Sequence, residues 1–330
     1  MMYQGKTVVV TGADGFIGSH LTEALVRAGA SVRAFCLYNS NGSRGWLDSA
    51  SPTDASAIDF RLGDIRDAMF VRRAVEGCDV VFHLAALIAI PYSYLAPESF
   101  VDTNVKGTLN VLEAVRYGGA GRLINTSTSE VYGTPDTLPI RETHPLKGQS
   151  PYSATKIAAD KLCEAWFDSF QTPVTTIRPF NTYGPRQSAR AVIPTILSQL
   201  LAGEREVRLG STDTKRDLTF VSDTVDGFLR AGLAPNVEGR TIQLGTGRTE
   251  SIAEVFRAAC VACAVDATVT EDSNRVRPTG SEVMVLQSDP SLARETLGWQ
   301  STVGLEEGLA RTAEWMRANL ARFRPTEYAV

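Results

Sequence analysis

Tyr152 and Lys156 stand four residues apart in Tyr152-Ser153-Ala154-Thr155-Lys156, a spacing that puts a phenol and an ammonium on one face of a helix. A tyrosine ordinarily titrates near ~10 and is a weak base at neutral pH. An adjacent ammonium favours the phenolate and brings it towards the working range. A second polar group precedes the pair in Ser127-Thr128-Ser129-Glu130-Val131-Tyr132-Gly133. There the Thr128 hydroxyl can hydrogen-bond a reacting oxygen, and Ser129 can assist a leaving group. Glu130 has the sharper implication, because a carboxylate in a half-dry site can act as base towards a carbon acid.

Near the start of the chain, Thr11-Gly12-Ala13-Asp14-Gly15-Phe16-Ile17-Gly18 joins an apolar run to a helical pattern. Glycines at 12, 15 and 18 permit a tight turn, close approach of a pyrophosphate and close helix–strand packing. The amides that open the helix favour phosphate. Gly12, Asp14, Gly15, Phe16, Ile17 and Gly18 are therefore expected to hold a dinucleotide, whose nicotinamide charge would also favour a Tyr152 phenolate. The second strand ends in Phe35-Cys36-Leu37-Tyr38-Asn39, without the acid that usually holds an adenosine ribose. Asn39 and Arg44 lie at this end, and Arg33 and Arg44 are candidates for a 2′-phosphate, so NAD and NADP both stay open. Asp64-Ile65 follows the third strand, where Asp64 either accepts from the adenine or caps a helix. Leu84-Ala85-Ala86 closes the fourth strand with residues small enough to admit the cofactor.

These groups need a scaffold that brings strand ends together. Thr7–Val10, Ser31–Leu37, Asp79–Leu84, Arg122–Thr126 and Val174–Arg178 read as strands of a parallel sheet covered on both faces. Phe16–Ala28, Ser99–Tyr117 and Pro151–Phe170 have helical spacing between them. The order predicts an α/β, doubly wound parallel sheet of the Rossmann kind with right-handed crossovers. Beyond Pro179 the pattern loosens into a smaller, mixed α/β lobe on the C-terminal side. The division expected is 1–178 plus about 218–245 for dinucleotide binding, and 179–217 plus 246–330 for the substrate. Residues 218–243 are expected to return to the sheet, and 322–330 to form a loose tail. The wide apolar faces of 99–117 and 151–170 suit a homodimer contact as well as sheet packing.

Composition narrows the partners. A net charge of −4 argues against broad binding of nucleic acid. The longest uncharged run, residues 80–97, is interrupted by Pro91 and Pro97, so no membrane span is expected. Five scattered cysteines and no signal peptide fit a reducing cytoplasm. Cys260 and Cys263 lack the second ligand pair that zinc would need, and no metal is expected.

The chain resembles the extended short-chain dehydrogenase/reductases, in the nucleotide-sugar epimerase/dehydratase family, over nearly its whole length. The likeness rests on the glycines, Ser127–Gly133 and Tyr152/Lys156. It extends through His83-Leu84-Ala85-Ala86, Asn104-Val105-Lys106-Gly107-Thr108, Arg178 to Arg186 and Arg216 to Asp223. Thr128-Ser129-Glu130 resembles a dehydratase triad. Where dTDP-glucose 4,6-dehydratases carry aspartate in the middle, this chain has Ser129, as GDP-mannose dehydratases do, which implies that Glu130 serves as base and acid. The stretch from Ala86 to Tyr94, with Arg277-Pro278 and Ser281-Glu282-Val283, is most similar to the 4,6-dehydratases of legionaminic-acid pathways, which act on UDP- or GDP-linked N-acetylglucosamine. The resemblance implies C4 oxidation, loss of water across C5–C6 and reduction at C6. It implies substrate contacts from Ile88, Asn104, Thr128, Asn181, Arg190, Arg216, Arg275 and Arg277, with Arg186 within reach. UDP-glucuronate decarboxylases, which share Ser-Glu-Val-Tyr-Gly, and 4-epimerases are the rival activities. A non-catalytic dinucleotide sensor would need neither Tyr152, Lys156 nor Glu130.

Overall fold

A computed structural model describes residues 1–276, 278–325 and 327. Its strands are β1 (Thr7–Thr11), β2 (Ser31–Leu37), β3 (Ile58–Gly63), β4 (Val80–His83), β5 (Arg122–Thr126), β6 (Val174–Pro179) and β7 (Asn181–Tyr183). They continue as β8 (Glu206–Leu209), β9 (Lys215–Arg216), β10 (Leu218–Phe220), β11 (Thr241–Leu244), β12 (Glu250–Ser251), β13 (Thr268–Glu271) and β14 (Val285–Leu286). Seven of them form one parallel sheet in the order β11-β6-β5-β4-β1-β2-β3. Alternation along the strands explains their nearly unbroken apolar sequences. Val8, Val10, Phe82, Ile124 and Ile177 join the core on one face, while Val9, Val81, Leu123 and Val174 join the core on the other.

Strand order reverses between β1 and β4, so the crevice where such sheets take ligands opens beyond the carboxyl ends of those two strands. β5 and β6 extend the same edge. The small sheets β7–β10, β9–β12–β14 and β8–β13 lie outside it. Residues 218–220 pair with β7, and the chain re-enters the large sheet only at β11, beside β6.

Two further expectations are corrected. The 99–117 stretch is not one regular helix: Pro97–Phe100 runs through a π-helical turn, Val101–Lys106, into Gly107–Gly118. Nor is the chain loose at residues 322 and 323, while residues 326 and 328–330 of the expected tail lie outside the described residues. Phe323 is buried, its ring 6.3 Å from Trp315, and Arg322 stacks over Trp46 at 5.0 Å while donating to Ser49 Oγ (3.1 Å). Cys260 and Cys263 lie on the Ile252–Cys263 helix, where burial raises both thiols, Cys263 to about 11. Among the described residues, no helix is long and apolar enough to cross a membrane.

Candidate active site

The glycine turn fits a dinucleotide. Gly12 has φ +69°, and a Cβ there would lie 2.8 Å from the Ala85 backbone, so the turn at the end of β1 abuts the end of β4. A Cβ on Gly18 would come within 2.0 Å of the Gly12 carbonyl, which explains the close seat of the Phe16–Arg27 helix. No side chain caps that helix, leaving the opening amides of Phe16, Ile17 and Gly18 to a phosphate. Asp14 braces the turn, its carboxylate accepting from Leu37 N (3.3 Å) and its carbonyl from Trp46 N (3.1 Å). A Cβ on Gly45, at φ +59°, would stand 2.3 Å from that carbonyl. Gly45 and Trp46 thus support the cofactor turn although local sequence did not single them out.

At the adenosine end, Asn39 closes its own loop by bonding the Leu37 and Ser43 carbonyls (3.2 and 2.8 Å). Arg44 lies over the Phe60 ring at 4.1 Å. Arg33 is not at this end, because it donates to the carbonyls of Ala74 and Glu76 at the close of the Ala68–Val75 helix. Asp64 caps no helix: Asp67 does so, and Asp64 forms a 2.6 Å ion pair with Arg66, whose hydrogen bonds hold the carboxyl below its ordinary range. Ile65 is buried beneath Gly107.

The close of β4 is fixed by a one-directional relay. Leu84 and Ala85 amides donate to Thr11 Oγ1 (3.2 Å each), which meets His83 Nδ1 at 2.8 Å. His83 Nε2 lies 3.1 Å from Thr108 Oγ1, which donates to the Asn104 carbonyl (2.6 Å). With Thr108 donating onward, His83 carries a proton on Nε2 and donates it to Thr108 Oγ1. Burial lowers it to about 3, with the Lys156 charge adding to the effect. Ala86 follows Leu84 and Ala85 in the loop, half-buried, and Ile88 is exposed. The Asn104 side chain corrects its reading as a sugar ligand. It is 1% exposed and clamps Leu87 N and O (2.8 and 2.9 Å) and Thr155 Oγ1 (3.1 Å). The π-helical turn places it there, joining the Leu87 loop to the Tyr152 helix.

The catalytic candidates meet at the end of β5. Ser150 caps the Pro151–Phe170 helix in a reciprocal box with Ser153, so Tyr152 enters in the first turn and Lys156 one turn on. Lys156 is 4% exposed and donates to the Thr126 carbonyl (2.6 Å). Thr128 caps the Ser129–Tyr132 turn, its Oγ1 accepting from Glu130 N (3.2 Å). Ser129 is buried, and Glu130 is half-buried. Burial drives the Tyr152 phenol above its ordinary value; a hydrogen bond from Thr128 opposes this, and the Glu130 and Asp160 charges reinforce it. Burial also lowers Lys156, against the pull of Asp160. The nicotinamide charge, expected from the sequence to act together with Lys156, would oppose the rise at Tyr152.

The lobe residues are placed less uniformly. Asn181, on β7, keeps a buried Oδ1 without an internal partner, as suits a side chain that meets a ligand. Arg216 is 8% exposed and pairs with Glu282 at 3.3 Å. Arg275 pairs with Asp272 (3.0 Å) and lines a polar cleft with Glu204, Glu206 and Arg208. Arg190 is exposed and bonds Ser188 Oγ (3.1 Å), with no carboxylate paired to it among the described residues. Arg186 is held by Glu23 at 2.9 Å, which removes it from open reach of substrate. Arg277 lies outside the described residues.

Comparison with known proteins gives this geometry a family. The family model for GDP-mannose 4,6 dehydratase matches residues 9–312. The UDP-glucose 4-epimerase of Mycolicibacterium smegmatis is 36% identical over 94% of this chain and 98% of its own. A dTDP-glucose 4,6-dehydratase of the same organism is 33% identical over 98% of this chain and 97% of its own. The crystal structure of the dTDP-glucose 4,6-dehydratase DesIV of Streptomyces venezuelae, with NAD bound, superposes with a TM-score of 0.87 at 29% identity, covering 97% of this chain and all (100%) of that one. With a glycine turn built for a dinucleotide and Tyr152, Lys156 and Glu130 gathered at one sheet edge, the chain belongs to the GDP-mannose 4,6-dehydratase family, within the NAD-dependent nucleotide-sugar epimerases and dehydratases of the extended short-chain dehydrogenase/reductase type.

Proposed function

We propose that the protein is a nucleotide-sugar 4,6-dehydratase that converts an NDP-hexose into its 4-keto-6-deoxy product. The observation that carries this reading is Glu130, half-buried and close enough to Tyr152 for its charge to act on the phenol. Gly12 to Gly18 would hold NAD, whose chemistry would be hydride uptake from C4 and hydride return at C6. Tyr152 removes the C4 hydroxyl proton, with Thr128 positioned to hydrogen-bond that oxygen. The resulting C4 ketone acidifies C5–H, and Glu130 takes that proton. The same proton passes from Glu130 to the departing C6 hydroxyl, with Ser129 beside it, so that water leaves and Glu130 is again a carboxylate. As hydride returns to C6, C5 takes a proton from solvent and Tyr152 releases to solvent the one it took from the C4 hydroxyl. Asn181, Arg190, Arg216 and Arg275 are the groups proposed for the diphosphate end, Arg216 and Arg275 by exchanging carboxylate for phosphate. A UDP- or GDP-linked N-acetylglucosamine is favoured by the Ala86–Tyr94 stretch and Ser281-Glu282-Val283.

A 4-epimerase is the second reading, favoured by the Mycolicibacterium smegmatis relative. It needs Tyr152 and no base at C5. Glu130→Gln separates the two: the variant should oxidise C4, seen as reduced nicotinamide, and release no water, measured by product mass. Unchanged water loss would remove Glu130 from the mechanism, and a product of unchanged mass from the wild-type protein would establish epimerisation. A homodimer is also proposed, through the faces that expose Val101 and Tyr117 on the 99–117 stretch and Phe170 on the 151–170 helix. A monomer in sedimentation would exclude it.

A further inference from the structure

A buried ion pair and a tyrosine hydroxyl bonded to it link the two elements that carry the proposed proton-transfer groups. Asp160 follows Lys156 by one helical turn and is 1% exposed. Its Oδ2 accepts from Arg178 Nε (3.0 Å), Arg178 Nη2 (2.9 Å) and Ser127 Oγ (2.8 Å). Arg178, on β6, sends Nη1 to the Tyr132 hydroxyl (3.1 Å). Tyr132 ends the short turn that holds Glu130, and its hydroxyl donates to Gln243 Oε1 (3.1 Å). Gln243 is tied in turn to the carbonyls of Ile140 and Asp289 (2.6 and 2.9 Å). The path therefore runs from the Tyr152/Lys156 helix through Asp160 and Arg178 to the turn of Glu130.

Stability alone is a weak reason for this arrangement, since apolar side chains of similar volume often serve as well as a buried ion pair. Directional bonds do something that apolar packing does not: they fix the position of one element against another. Proton transfer within one site needs such registry, because a displacement of ~1 Å can lower a rate about 100-fold.

We infer that Tyr132 and the Asp160–Arg178 pair are positioning residues that set Glu130 against Tyr152, so that proton removal at C5 follows oxidation at C4 on a substrate that does not move. The inference rests on the reading of Glu130 as the C5 base.

Tyr132→Phe tests it, because the ring stays against His144 and Phe180 and only the hydroxyl is lost. The probe is UDP-N-acetylglucosamine, replaced by GDP-N-acetylglucosamine if the wild-type protein does not dehydrate it. C4 oxidation is followed as reduced nicotinamide, C5 proton removal as deuterium uptake from heavy water, and folding as Tm. Oxidation should stay within about 2-fold while deuterium uptake and water loss fall roughly 10- to 100-fold. Equal losses in both steps, or loss in neither, overturn the inference. Glu130→Gln, run beside it, tells the two failures apart. If that variant still loses water, the reading of Glu130 fails. If it stops while Tyr132→Phe removes the C5 proton normally, only the positioning role fails. Asp160→Asn adds a second measurement: the pH profile of C4 oxidation should move, because Lys156 loses its buried counter-charge. Should that variant not fold, the Tyr132→Phe result decides alone.

Discussion

The carboxyl edge of the large sheet and the Arg190 and Arg275 side chains of the lobe hold charge in opposite ways. At the sheet edge, Lys156, Asp160 and Arg178 are each less than a tenth exposed, and their partners come from different strands and helices. In the lobe, Arg190 has only a serine hydroxyl among the described residues, and Arg275 is paired with an acid three residues away. The first arrangement is dry and cannot rearrange without loss of several hydrogen bonds. The second can exchange a partner for an incoming anion. Chemistry on a proton needs the first kind of environment, whereas capture and release of a diphosphate needs the second.

The largest change that would break this contrast is Tyr152→Phe. The ring would keep its T-shaped contact with Phe100 (6.3 Å), so Tm should hold. Loss of the proton-transfer group should lower kcat by about 1,000-fold. A loss of only a few-fold, measured by product mass against time, would place the base elsewhere.

Arg190→Ala should act on the other region and on another constant. If Arg190 binds the anionic end equally in ground and transition states, KM should rise roughly 10-fold with kcat within about 2-fold. Lysine at 190 should recover part of the affinity, as a point charge without the guanidinium fork. A drop in kcat at unchanged KM would show that Arg190 belongs with the catalytic edge, and the contrast between the regions would fail.

The same contrast explains what was legible from sequence. Gly12, Gly15, Gly18, Tyr152 and Lys156 are separated by fixed short spacings, and a turn or a helix converts spacing directly into geometry. The sheet followed from apolar runs long enough to be covered on both faces. What sequence concealed depends on distant partners. Arg216 meets Glu282, and Arg186 meets Glu23, across 66 and 163 residues. Asn104 is a substrate contact on the resemblance alone; sequence periodicity does not show the π-helical turn that carries it, and its partners Leu87 and Thr155 belong to other elements. Asp160 did carry a local signal: an acid one turn beyond Lys156 on the same helix face.

Acidification probes both regions at smaller scale, because each has a neutral histidine, buried in the first and half-buried in the second. His83 lies at the sheet edge. His20, on the Phe16–Arg27 helix, touches the Pro185 carbonyl (3.0 Å) beside the loop of Arg186 and Arg190. Burial lowers His20 to about 4, opposed by the Pro185 carbonyl and assisted by Arg186 and Arg27. In the unfolded chain a histidine titrates near ~6.5, so between that pH and about 4 the unfolded state binds a proton that the folded state does not. Stability contributed by these histidines is thus present above about pH 6.5 and is lost as pH falls through that window, with a ceiling of about 1.4 kcal/mol per pH unit for each. His20→Gln, which retains a donor for Pro185, should flatten the dependence of unfolding free energy on pH between about 6.5 and 5, leaving the His83 share. An unchanged slope in denaturant titrations would mean that His20 is protonated in the folded protein, and the loop of Arg186 and Arg190 would then be wetter and more mobile than its contacts indicate.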